Sequence, residues 1–133
     1  MLHPKSIEWD ESMKALFDRI DSILEDRYGG EWRLKRNRPA RGATSNPEAD
    51  GLFNVGSFFT PGYGSKFGRG YLVEIALATN EPVKSEVREE IELLVLDLVR
   101  RSLPEFFPGR ELYVDRDGSM FKIYGDLSLD KPI

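Results

Sequence analysis

The sequence predicts an α+β fold in which two helices pack on one face of a mainly antiparallel sheet of four to five strands. Three observations carry that expectation. Two long segments repeat apolar residues every three or four positions, several short runs alternate every second position, and glycine-containing loops join those runs in pairs. The element order is helix, strand, two paired strands, helix, two paired strands. Covering one side of a single sheet is the economical way to bury every apolar stripe in that order.

The first helix is expected over residues 7 to 28. Met13, Leu16, Phe17, Ile20, Ile23 and Leu24 form its stripe, Ser6 is the expected N-cap, and Gly29 or Gly30 ends it. A short, highly charged run, `EWRLKRN`, follows as an edge strand with Trp32, Leu34 and Arg36 on one side. Residues 38–51 lack periodicity and read as a mobile loop. The next two runs, 52–59 and 71–78, alternate and should pair through a glycine-rich hairpin loop over 60–70. The second helix carries Val83, Val87, Ile91, Leu94, Val95, Leu98 and Val99 on one face, with Leu93 and Leu96 widening it. It should therefore be the more deeply buried of the two, capped by Thr79 or Asn80 and stopped by Pro104. In the closing hairpin, Asp117-Gly118 signals a type I′ turn that pairs Val114 with Phe121 and Leu112 with Ile123, and turns Tyr113 outward beside Lys122.

The chain has 133 residues, enough for one domain with its own core, and 40% hydrophobic with 32% charged residues is a globular composition. Residues 1–6 are expected to be a flexible tip. Cysteine is absent, which excludes disulfides, thiolate chemistry and cysteine-ligated metal. The single histidine, His3, lies in the terminal peptide, so no histidine metal site is expected either. The acidic residues near the start are unlike a secretory signal, and no run approaches the roughly 18 apolar residues of a membrane span. A cytoplasmic protein without cofactor or membrane contact is the expectation.

Two stretches raise the question of a ligand. In `PGYGSKFGRG`, glycines allow backbone amides to turn toward an anion, and Lys66 and Arg69 can add charged donors. The glycine spacing matches neither the P-loop nor the dinucleotide fingerprint, and the loop leads into a strand. Upstream, Arg33, Lys35, Arg36, Arg38 and Arg41 form a basic segment in a chain whose formal charge is -4. On one surface, the two groups could bind phosphates, with Tyr63 or Phe67 stacking on a base.

Candidates for catalysis are few. Ser57, Ser65 and Ser119 have no activating partner in sequence, and Glu74 reads as exposed or paired with an arginine. Asp115, Asp117, Asp126 and Asp130 invite a calcium loop, but Met120 stands where that loop demands glycine. The remaining aromatics, Phe58, Tyr113, and Tyr71 or Phe59, would mark a partner surface on the sheet. The sequence thus points to a non-enzymatic protein-interaction domain, homodimeric through its sheet. The alternative is phosphate binding, to nucleic acid or nucleotide, through residues 33–41 and 61–70.

Overall fold

The structure, a computed structural model, describes residues 4–128; His3, the first half of the expected flexible tip (residues 1–3), and the tail with Asp130 lie outside that range. It contains α1 (Pro4–Tyr28), a 3-10 turn (Pro47–Ala49), β1 (Phe53–Thr60), β2 (Gly70–Leu77), α2 (Ser85–Phe106), β3 (Leu112–Asp117) and β4 (Met120–Gly125). The four strands form one antiparallel sheet in the order β1-β2-β4-β3, and the helices pack against it. Every buried apolar strand residue lies on the same side: Phe53 and Val55 of β1, Tyr71 and Val73 of β2, Val114 of β3, Phe121 and Ile123 of β4. Alternation along a strand requires this when only one face is covered. The predicted architecture is thus present, with four strands.

Several local expectations are corrected. Residues 32–37 form no strand. Leu34 makes one isolated bridge to Thr79, while Trp32 and Leu34 pack against the core margin. Residues 4–6 already lie within α1, so Ser6 is inside the helix and is not its cap. α2 begins only at Ser85, with Lys84 at its N-cap, so neither Thr79 nor Asn80 caps it; the Thr79 hydroxyl instead donates to Arg33 O and accepts from Glu81 N–H. Pro104 lies inside α2, near its end. The helix gives up one amide bond there and closes through Phe107 N–H to Leu103 O at 2.9 Å.

The burial ranking of the helices is also reversed. α1 buries Trp9, Met13, Leu16, Phe17, Ile20, Asp21, Leu24 and Tyr28, whereas α2 buries Ile91, Val95, Val99, Ser102 and Leu103 and leaves Leu93 exposed. α1 contacts β1, α2 and the 3-10 turn, so it sits centrally, while α2 covers the β3 side. The closing hairpin is shifted relative to its expected register. Val114 pairs with Ile123, Tyr113 with Tyr124 and Asp117 with Met120. Gly118 and Ser119 therefore form the two-residue loop, and only Gly118 has positive φ, at 65°, the pattern of a type II′ turn.

Candidate functional site

The two cation-rich stretches meet the sheet at opposite ends of one ladder. β1 and β2 pair from Phe53↔Leu77 at one end to Thr60↔Gly70 at the other. The basic segment is attached at the first end, through Lys35 N–H to Ala78 O at 2.8 Å, and the glycine loop closes the second. Seven residue steps separate them, about 23 Å. Arg33, Lys35, Arg36 and Arg38 are therefore not brought together with Lys66 and Arg69, and the joint phosphate surface weighed from the sequence has no counterpart in the geometry.

Within the basic segment the cations divide into two kinds. Arg38 points inward and donates to four carbonyls: Gly51 at 2.9 Å, Glu48 at 2.9 Å, Asp50 at 3.0 Å and Phe53 at 3.3 Å. Arg41 reaches α1, donating to Asp21 at 2.7 Å and to Ser22 Oγ at 2.7 Å. These two side chains stitch residues 38–51 to the domain. By contrast, the side chains of Arg33, Lys35 and Arg36 are exposed and make no bond among the described residues. Lys35 and Arg36 border a shallow depression of about 370 Å³ with Asn37, Asn54 and Ala76.

The acids that receive Arg41 sit in the core margin. Asp21 is fully buried, and its carboxylate also accepts from Val55 N–H at 3.3 Å. Burial outweighs those donors, and the carboxyl is pushed up to about 6. One turn further on, Glu25 accepts from Leu52 N–H at 3.1 Å and Phe53 N–H at 3.3 Å. Gly51 is required beside it: its φ is 69°, and a Cβ there would stand 2.7 Å from the Glu25 carboxylate. Asp50 accepts from the Thr44 amide at 3.0 Å, and that bond, aided by the Thr44 hydroxyl and Arg41, holds it below the usual carboxylate range. None of these acids was singled out from the sequence. The signal for Asp21 was present, since it stands in register with Phe17, Leu24 and Tyr28 on the apolar stripe of α1.

The glycine loop folds back over the uncovered face of the sheet and encloses a cation. Lys122 of β4 points to that face yet is only 1% exposed. Its ammonium donates to Gly68 O at 2.8 Å and Ser65 Oγ at 2.9 Å and pairs with Asp117 at 2.9 Å. Ser65 Oγ in turn donates to Asp117 at 2.7 Å. Lys122 foremost, then Ser65, holds the Asp117 carboxyl below its ordinary range. Several loop amides are used locally: Gly62 N–H to Thr60 Oγ1, Ser65 N–H to Gly62 O, and Phe67 N–H to Ser65 Oγ. The loop therefore offers oxygens to a lysine where the sequence reading had amides converging on an anion. Gly62 is indispensable to the fold-back, because a Cβ there would meet Gly68 O at 1.9 Å.

The aromatic candidates have different fates. Phe67 stacks on Tyr124 at 4.7 Å between ring centroids, and Lys66 lies over the outer side of Phe67 at 5.0 Å. Arg69 is exposed and makes no side-chain bond among the described residues, and Tyr63 projects from the loop at 94% exposure. Tyr113, half exposed, packs beside Tyr124. The acids of the closing hairpin are committed to their own partners, Asp115 to Tyr124 Oη at 2.5 Å and Asp117 as above. Among the described residues, no group of His, Asp or Glu is placed to hold a metal ion, and no helix is long and apolar enough to cross a membrane.

One stretch of backbone remains open, along β1. The Val55 N–H bonds to Asp21 and therefore points away from β2, and alternation places the Phe53, Ser57 and Phe59 amides on the same outer margin. Leu52, Phe53 and Val55 are covered by Glu25 and Asp21, and Phe53 O by Arg38. Among the described residues, Ser57 and Phe59 have no such cover. Phe58 and Phe59, on opposite faces of this margin, are 47% and 54% exposed. A depression of about 380 Å³ lies alongside, between Asp10, Met13 and Lys14 of α1 and Ser57, Phe59 and Tyr71 of the sheet. Phe59 meets Tyr71 edge-on at 5.7 Å, and burial pushes the Tyr71 phenol up to about 12.

No solved structure matches the chain. It is similar to an uncharacterised protein of Borreliella burgdorferi, 40% identical over 106 residues that cover 80% of this chain and 83% of the relative. A family profile described as uncharacterised protein matches residues 4–125, and the chain belongs to that family.

Proposed function

We propose that this chain is a protein-interaction domain that recognises an extended strand along the free margin of β1. The observation that carries the reading is the contrast within that one strand. Its first half has every outward amide taken by a carboxylate of α1, whereas Ser57 and Phe59 keep theirs open beside two exposed phenylalanines. An added strand would take its main-chain bonds from those groups and its side-chain contacts from Phe58 on one face and the α1 depression on the other. β1 contains no proline or lysine to discourage such pairing.

Selection of displayed peptides on the immobilised domain, followed by amide chemical-shift mapping, tests this. Bound peptides should shift Ser57 and Phe59 most and should lose binding to the Ser57→Pro variant. Shifts that centre on the Lys122 loop or on Arg36, with the β1 amides unmoved, would reject the assignment.

A further inference from the structure

Resting on that reading, we infer that the strand added to β1 is β1 of a second copy of this chain, paired antiparallel about a two-fold axis at Phe58. The inference comes from which donors and acceptors are open. Two outward positions, Ser57 and Phe59, are available, and they are two residues apart. An antiparallel pair centred on Phe58 places Ser57 opposite Phe59 of the second copy and Phe59 opposite its Ser57. Each of those pairs exchanges two main-chain bonds, so the four open N–H groups find four open carbonyls.

The neighbouring positions agree with this register. The next outward pair sets Val55 against Pro61 of the second copy. Pro61 has no N–H to leave unpaired, and the Val55 N–H already bonds to Asp21. Moving the axis to Ser57 would set Phe59 of one copy against Val55 of the other, whose donor is taken. Moving it to Phe59 would set Ser57 against proline. The first would leave the Phe59 carbonyl without a donor and the second the Ser57 carbonyl; of the three symmetric registers, only the one centred on Phe58 answers both the N–H and the carbonyl of Ser57 and of Phe59.

Side chains fit the same arrangement. On the uncovered face, the two Phe58 rings come directly opposite each other, at the close spacing of a non-hydrogen-bonded pair. On the helix face, each large Phe59 stands opposite a small Ser57, beside the depression rimmed by Asp10 and Lys14. The product is a continuous eight-stranded antiparallel sheet in which the margin at β1 has disappeared.

Light scattering and sedimentation over micromolar to near-millimolar concentrations, with charge-swap variants, test the inference. The wild type should dimerise reversibly, and amide exchange at Ser57 and Phe59 should slow as the dimer forms. Phe58→Lys and Phe58→Glu should each raise the dissociation constant at least tenfold while keeping the circular dichroism of the fold, and mixing them should restore a dimer. Ser57→Pro should dissociate it as well, since that amide makes no bond among the described residues of one chain. A wild type that stays monomeric throughout, or a dimer indifferent to these substitutions, would overturn the inference. A monomer whose β1 amides still respond to selected peptides would reject self-pairing alone and leave the strand-recognition reading standing. Silence of those amides toward both would reject the two together.

Discussion

The two loops at the ends of the β1–β2 ladder are held down by opposite arrangements. Residues 38–51 carry their own anchors, because Arg38 and Arg41 belong to the segment and reach out to carbonyls and to α1. The glycine loop is instead held by Lys122, which comes from β4, 54 positions away from the Gly68 carbonyl it bonds. Both loops looked like ligand sites because both are rich in cations or glycine. The comparison teaches that local charge density does not identify which cation is committed to the fold. The exposed members, Arg33, Lys35, Arg36, Lys66 and Arg69, resemble the buried ones in type and differ only in what the fold brings to them.

Removing an anchor should expose this asymmetry, and Arg41→Ala should cost most. It strips the guanidinium from Asp21, a fully buried carboxylate, and leaving a buried charge without its partner costs about 3 kcal/mol. Urea unfolding at pH 7.5 should show that loss. At pH 5 the loss should shrink, because Asp21 can take up a proton and shed its charge.

Lys122→Met should cost less, about 2 kcal/mol, because its partner Asp117 keeps some contact with water and can be solvated when the ammonium is gone. The readout that separates it from Arg41→Ala is local. Amide exchange should accelerate over residues 62–70, and stacking of Phe67 on Tyr124 should weaken, with α1 amides unaffected. Uniform acceleration across the chain would mean that the loop and the sheet open as one unit.

These two cations also mark how far the sequence could be read. The layering and the antiparallel pairing were legible because periods of 3.6 and 2 are local properties of the chain. Helix α2 showed Ile91, Val95 and Val99 plainly, and β1 and β2 showed their alternation. The burial of Lys122 was not legible. Alternation assigns it to the uncovered face, and nothing near it in sequence says that a distant loop will return to roof that face. The closing hairpin was misregistered for a related reason: Asp117-Gly118 is a turn signal, but Gly118-Ser119 is another, and both registers set Val114 against a helix-facing residue, Phe121 or Ile123, so alternation does not choose between them. At the candidate surface, Phe58 was visible as a leftover aromatic. The open margin beside it became visible only once Asp21 and Glu25 were seen to cover the rest of the strand.

Asp21 gives the comparison a pH axis. Its carboxyl titrates near 3.8 when the chain is unfolded and about 6 when folded, so the folded state holds the proton more tightly. The stability this group contributes is therefore complete below about pH 4 and is lost as pH rises through 6. Asp50 and Asp117 are lowered, so their contributions are lost only when pH falls through the acidic carboxylate range. Subtracting the unfolding free energy of Asp21→Asn from that of the wild type across pH 4 to 7 should leave a slope of falling stability. No such slope would mean that Arg41 dominates burial at this site.

The smallest expected effect sharpens the distinction between committed and free cations. Lys35→Ala and Arg36→Ala remove charges that make no side-chain bond, so each should change unfolding free energy by less than about 0.5 kcal/mol. Their neighbour Arg38, one residue further along the chain, donates to four carbonyls, and Arg38→Ala should exceed either by several-fold. If Lys35→Ala proved as costly as Arg38→Ala, the basic segment would be held as a whole by its charge, and the division between inward and outward cations would fail. If the outward cations prove neutral, the fold imposes no demand on them at those positions, and whatever selects lysine and arginine there acts on the surface they form with Asn37 and Asn54.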